Sequence, residues 1–322
     1  MSSSKIHSII NYDLVISTSW NNPDNKEAPE HGICGHTYEM IEYYWLLRRF
    51  IKCCLLWPES MTPELLSNIL SDKYNFDQKE ILSIIRNSKF LYRPKLLRCK
   101  KLLLVDGQIN RDVGVTLIYE HLFLLSCGNR DNHLIDNPNI TVLQDQRVYS
   151  ESGPRTRHYV KKISIHRLRY PNRCDDASFL YLSTNCRFLS IEEIEKCITY
   201  YNNIFNNSNR KWIIGTNNIE IYKELNKKFN VDIVSLPIEN FHEKFNHYVY
   251  TPTSRKFDCS NRLIVECKHF KKMVNMYNID NQYLEQDKGL NARLEDLQEY
   301  EKLLSLVRQD QDEIINIIRN AI

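Results

Sequence analysis

The chain has 322 residues, 42% hydrophobic and 26% charged, with a formal net charge of +3. That is the make-up of a globular chain long enough for two ordinary domains with a sizeable core, and its charge is too small to demand a polyanionic partner. Ten cysteines are scattered without the spacing of a secreted disulfide framework, the first residues carry no leader pattern, and no apolar run approaches membrane-spanning length, so the expectation is a cytoplasmic protein with reduced thiols and no membrane span.

The first half reads as alternating strands and helices. Asp13-Leu-Val-Ile-Ser-Thr18 is a β-branched run, followed by a polar loop through about Pro29. Thr37 to Phe50 carries Met40, Tyr43, Tyr44 and Leu47 at helical spacing. Lys52-Cys-Cys-Leu-Leu-Trp57 is a second strand. Thr62-Pro63 opens a helix with a cap and a first-turn proline, and Asn75 or Asp77 caps the next. Lys101-Leu-Leu-Leu-Val105 is a third strand, ended by Asp106-Gly107. Thr116 to Ser126 is a strand or a helix, and Asn139 to Leu143 a strand.

The second half repeats the alternation. Strands are expected at 178–184, 211–215, 231–235 and 248–251, with helices opening at Ser190 and running over 218–229 and 238–245. A helix carrying Arg262 and Glu266 follows, and the closing segment is amphipathic. Short strands alternating with helices predict doubly wound parallel sheets, hence an α/β chain of two Rossmann-like domains facing a cleft and joined near 170–178. Ligands of such sheets bind at the carboxyl ends of the strands.

The densest chemistry lies in Tyr248 to Glu266, where a short strand passes through a polar loop into a helix. A helix N-terminus favours anions. Arg262 there can grip a diphosphate, and Glu266, one turn on, can accept hydrogen bonds from a ribose diol. The plainer alternative is a surface i,i+4 ion pair between the two.

The order of elements in the second half resembles the C-terminal domain of GT-B glycosyltransferases. The resemblance runs through FLYLST, SIEEIEKCITYY, KWIIGTNN and VDIVSLPIENFHEKFNHYVYTPTSRKFDCSNRLIVECKHF. It implies an acceptor-side domain over 1–175, a nucleotide-sugar donor domain over 176–295, and a helix over 296–322 packing back on the first. It implies Glu266 as ribose ligand and Arg262 as diphosphate ligand, with Arg255, Ser260 and the backbone of 258–261 lining the phosphate pocket. No cofactor beyond the nucleotide-sugar co-substrate is implied, and no metal. The match is looser in the first half, where the glycine-rich loop is reduced to Gly32 and Gly35. No E-x7-E pair occurs, so the stereochemical course and a non-catalytic copy both stay open.

Asp106, ending an apolar strand, could deprotonate an acceptor hydroxyl; it resembles the strand-end aspartate of T-even phage DNA glucosyltransferases, while Asp-Gly is equally an ordinary turn pair. His36 is the other candidate base. His31, Cys34 and His36 are too closely spaced for an ordinary zinc site. Residues 147–173 form a basic tract with interleaved tyrosines, in which Arg155, Arg157, Lys161, Lys162, Arg167 and Arg169 could follow phosphates; a solvated strand face is the alternative. The Lys268-to-Lys272 stretch reads as a solvated helix face.

The expected function is a glycosyltransferase acting on a hydroxyl of a glycan, a protein or a modified DNA base. An AT-rich-genome composition fits a viral or phage origin and hence the host cytoplasm. The rival expectation is a non-catalytic nucleic-acid-binding protein using tract 147–173, and a nucleotide-sugar epimerase is a third.

Overall fold

The computed structural model describes residues 6–9, 11–18, 35–57, 61–90, 96–105, 116–126, 137–144, 158–159, 168–182, 189–216, 218–235, 240–251, 262–277 and 312–321. Met1–Arg169 together with Glu301–Ile322 form one compact unit, and Tyr170–Tyr300 form a second.

The first unit is built on parallel strands β1 (Ile6–Ile9), β2 (Leu14–Thr18), β3 (Cys53–Trp57), β4 (Ser88–Phe90), β5 (Leu96–Cys99), β6 (Lys101–Val105), β7 (Thr116–Ile118), β8 (His121–Ser126), β9 (Ile140–Gln144) and β10 (His158–Tyr159). Seven of them form one sheet in the order β10-β9-β8-β6-β2-β3-β4. Counted by chain order within that sheet, the strands lie 7-6-5-4-1-2-3, the doubly wound Rossmann arrangement. Near-continuous apolar runs such as Cys53-Cys-Leu-Leu-Trp57 and Leu102-Leu-Leu-Val105 are buried residue after residue, as strands covered on both faces require.

The remaining three strands form a second sheet, β1-β5-β7. Only Lys100 separates β5 from β6, and only Tyr119 and Glu120 separate β7 from β8. Glu120 N and His121 N both donate to Lys100 O, at 2.7 and 3.2 Å. The central strands β2, β6 and β8 are thus prolonged at their N-terminal ends after a break. Thr116–Ser126 is two strands rather than one run or a helix, because Lys100 O takes both amides at the join.

Helix α1 (Gly35–Leu47) follows β2, and α2 (Pro63–Lys73) and α3 (Gln78–Arg86) separate β3 from β4. Thr62 Oγ1 accepts from Leu65 N at 3.1 Å. Asp77 and Glu80 form a capping box, with Glu80 N to Asp77 Oδ1 at 2.8 Å and Asp77 N to Glu80 Oε2 at 2.9 Å. A closing helix over 312–320 belongs to this unit and buries Ile314, Ile315 and Ile318. Lys101 Nζ donates to Ala321 O, and Arg319 lies 5.2 Å from the Phe50 ring centre.

The second unit has one parallel sheet of β11 (Ala177–Tyr181), β12 (Lys211–Gly215), β13 (Val231–Val234), β14 (His247–Tyr250) and β15 (Met273–Met276), ordered β13-β12-β11-β14-β15. That is 3-2-1-4-5, the same Rossmann order. Helix α4 (Ile191–Ile204) starts at a Ser190/Glu193 capping box and lays Ile194, Cys197, Ile198 and Tyr201 onto Trp212 and Ile214. The helix expected over 218–229 is short: α5 (Ile219–Tyr222) tightens into a 3-10 turn, Lys223–Lys227. Ion pairs Lys223–Glu220 and Lys227–Glu224 are three residues apart, the spacing at which side chains eclipse in that tighter helix. Helix α6 (Arg262–His269) joins β14 to β15. The solvated face expected over 268–272 is corrected: Phe270 and Lys272 are buried. Strand β15 begins immediately after them, which draws both into the sheet's N-terminal margin.

Candidate functional site

In an open parallel sheet a crevice forms where the strand order reverses, because successive connections leave in opposite directions. In the first unit this switch falls between β2 and β6, and in the second between β11 and β14. The C-terminal ends concerned are Thr18 and Val105, then Tyr181 and Tyr250.

The residues singled out in the sequence follow three of these four strand ends along the chain, those of β2, β6 and β14. Asp106 lies outside the described residues; β6 is described to Val105, one position before it. His36 is the second residue of α1, the helix that follows β2. Arg255 and Ser260 fall outside the described residues, between β14 and α6. Arg262 is the first residue of α6. Thr251, which sequence reasoning passed over, ends the described chain after β14. It is 1% exposed, and its Oγ1 has no hydrogen-bond partner among the described residues. A buried hydroxyl in that state is costly unless something completes it. Its signal in the sequence was its position alone, directly after an apolar strand.

Glu266 is built differently. It is 3% exposed, and its Oε2 is 2.7 Å from His242 Nε2. His242 lies in the 3-10 turn Phe241–Glu243 that leads into β14 at the N-terminal edge of the sheet. Its ring packs 4.6 Å from Phe270 and 4.9 Å from Phe241, centre to centre. Glu266 is thus a buried carboxylate with a histidine partner rather than a solvated one.

The N-terminal edge of the same sheet holds a second polar array, in which Arg210, Ser178 and His247 are buried. Arg210 donates from Nε to Ser178 Oγ at 2.7 Å, from Nη1 to Asp176 Oδ1 at 2.8 Å, and from Nη2 to Asn246 Oδ1 at 2.9 Å. Its guanidinium lies 4.2 Å from the Phe205 ring centre. Hydrogen bonds from Asn246, then from Arg210, hold the Asp176 carboxyl below the usual carboxylate range. Ser178 Oγ is 2.8 Å from His247 Nδ1, and His247 Nε2 is 3.0 Å from Asn275 Oδ1. The order of donors fixes the tautomer. Asn275 Oδ1 can only accept, so His247 donates from Nε2, and its Nδ1 accepts the Ser178 hydroxyl. Burial pushes the His247 pKa down to about 4, in keeping with a neutral ring. Serine, histidine and an amide in series resemble a nucleophile relay, but Ser178 is fully buried and stands at the end of the sheet away from the crevice. This array ties four strands together.

No protein-family model matches the chain, and no curated protein matches it. Rossmann-type order in two parallel sheets is therefore what bears on its chemistry.

The other sequence candidates are placed as follows. Arg155, Arg157, Lys161, Lys162 and Arg167 lie outside the described residues, as do His31 and Cys34. Arg169 is exposed, and its backbone N–H donates to Lys73 O at 2.9 Å. Cys53, Cys54 and Cys267 are buried thiols; burial pushes Cys53 and Cys54 up to about 12. Thiols so desolvated are packing groups rather than nucleophiles. Among the described residues no group of His, Cys, Asp and Glu forms a metal site, and no helix is long and apolar enough to cross a membrane.

Proposed function

We propose that the chain is a GT-B-type glycosyltransferase that moves a sugar from a nucleotide-sugar to an acceptor hydroxyl. The observation that carries this is the Rossmann strand order in both units, with the candidate residues following the strands at the two switch points. A dinucleotide-binding order accounts for one nucleotide-type site; two such sheets in one chain fit a donor site and an acceptor site.

In this reading the donor diphosphate meets the amide groups at the start of α6, the Arg262 guanidinium and, from the preceding loop, Arg255 and Ser260. Thr251 Oγ1 supplies a further hydrogen bond at the strand end. Glu266 holds the ribose while His242 fixes its carboxylate. The acceptor oxygen forms a bond to the anomeric carbon as that carbon's bond to the diphosphate oxygen breaks. Asp106 or His36 takes the acceptor's proton. Charge gathers on the leaving diphosphate, which is where a helix N-terminus and arginines stabilise most.

Thermal unfolding against a panel of nucleotide-sugars and nucleoside diphosphates tests the donor site. A ligand at a hundred times its dissociation constant adds about 2.7 kcal/mol. One nucleotide class should raise the midpoint in the parent protein and not in Arg262→Ala. Glu266→Gln should weaken nucleoside diphosphates more than inorganic pyrophosphate, since only the former carry a ribose. No shift with any member overturns the proposal.

A further inference from the structure

Outside these sites the second unit holds a thiol and an amine at near-bonding distance. Cys174, three residues before β11, is exposed. Lys272, immediately before β15, is 6% exposed, and its Nζ is 3.1 Å from Cys174 Sγ. The amine is held there by two further acceptors, His242 O at 2.6 Å and Phe245 O. It also lies 4.4 Å from the Phe245 ring centre. Cys174 Sγ in turn is 3.5 Å from His242 O. A lysine that is nine-tenths buried normally finds a carboxylate; among the described residues this one meets two carbonyls and a sulfur.

We propose that Cys174 and Lys272 form an oxidation-dependent covalent cross-link, a sulfenamide between Sγ and Nζ. The oxidant is a peroxide. It converts the thiol to a sulfenic acid and is itself reduced, for hydrogen peroxide to one water. The Lys272 ammonium gives a proton to solvent, and the amine attacks the sulfenic sulfur. An S–N bond forms, the S–O bond breaks, and a second water leaves. The sulfur is oxidised by two electrons overall, and, counted from the neutral thiol and amine, the two residues together lose two hydrogens.

Geometry selects this partner. Sulfenic acids also condense with the amide nitrogen that follows them, but Asp175 N donates to Glu243 O at 2.7 Å. Cys267, a further thiol of this unit, is wholly buried. Lys272 Nζ is already in contact and pinned. The product would close a loop between residues 98 positions apart, tying the segment that enters β11 to the start of β15. A cross-link spanning so much chain stabilises chiefly by restricting the unfolded state.

Limited peroxide treatment of the full chain, followed by non-reducing digestion and mass spectrometry, tests the assignment. The expected result is a peptide pair joining residues 174 and 272, lighter by two hydrogens than the sum of its parts and separated by dithiothreitol. The pair should be absent from Lys272→Arg, in which Cys174 instead proceeds to sulfinic acid. The treated parent should unfold at a higher temperature than before treatment, and reduction should reverse the rise. A Cys174–Cys267 disulfide, or sulfinic acid at Cys174 in the parent with Lys272 unmodified, would overturn the proposal.

Discussion

His247 shows how one side chain sets a property of the whole second unit. Its ring is neutral because Ser178 and Asn275 satisfy that form and burial lowers its pKa to about 4, whereas an unfolded histidine titrates near ~6.5. As pH falls, the unfolded chain takes up the proton first. Stability present above about 6.5 is therefore lost between there and about 4, at up to about 1.4 kcal/mol per pH unit. Burial and the Lys101 charge also lower His121 in the first unit, which adds to the slope with the same sign. Denaturant midpoints taken across that range should fall more steeply for the parent than for His247→Asn; equal slopes would remove His247 as the titrating group. Arg210 offers a second measurement at this scale. Arg210→Met leaves Ser178 without its donor in a buried place, and a loss of roughly 1–3 kcal/mol is expected in denaturant unfolding. Neither residue was legible beforehand. His247 sits in an apolar strand and Arg210 in an asparagine-rich turn, and nothing in their spacing discloses partners about 30 to 70 positions away. Glu266 was singled out by its place on the helix, but neither its burial nor its partner His242 was legible, for the same reason.

Local signals survived well at the scale of single elements. Thr62-Pro63, Asp77 with Glu80, and Ser190 with Glu193 each announce a helix, and each cap is made. Caps are short-range chemistry, so sequence suffices for them. Ser190→Ala and Asp77→Ala should each cost about 1 kcal/mol, read from the denaturant midpoint, with Ser71→Ala, a half-buried site whose hydroxyl bonds only back to Ser67 O of its own helix, as a near-neutral control. Strands were harder. β1, β4, β5 and β15 are three or four residues long, too short to show a period, and pairing alone makes them strands. Met273–Met276 extends the sheet only because β14 offers it a parallel edge, and that unseen edge is why Lys272 looked like a surface residue. The helix expected over 238–245 shrinks to the turn Phe241–Glu243, whose ring cluster with Phe179 and Phe245 outweighs helical propensity.

Across the whole molecule the alternation of strand and helix was enough to predict parallel α/β sheets, and the strand order supplies what alternation cannot: the two switch points. The closing helix over 312–320 belongs with the first unit although the whole second unit separates them in sequence. Its buried isoleucines make that association energetic rather than incidental. Ile318→Ala should destabilise the first unit by about 2–5 kcal/mol, seen as an earlier first transition in a two-step melt, with the second transition unmoved. The central claim is that a nucleotide binds where the order of the second sheet reverses. Hydrogen exchange measured with and without saturating nucleoside diphosphate addresses it most directly, because protection reports where amides are covered. Slowed exchange over the residues following β11 and β14 and along α6, with no change over 272–276, is the predicted result. Unchanged exchange at those strand ends, with any nucleoside diphosphate tried, would contradict it.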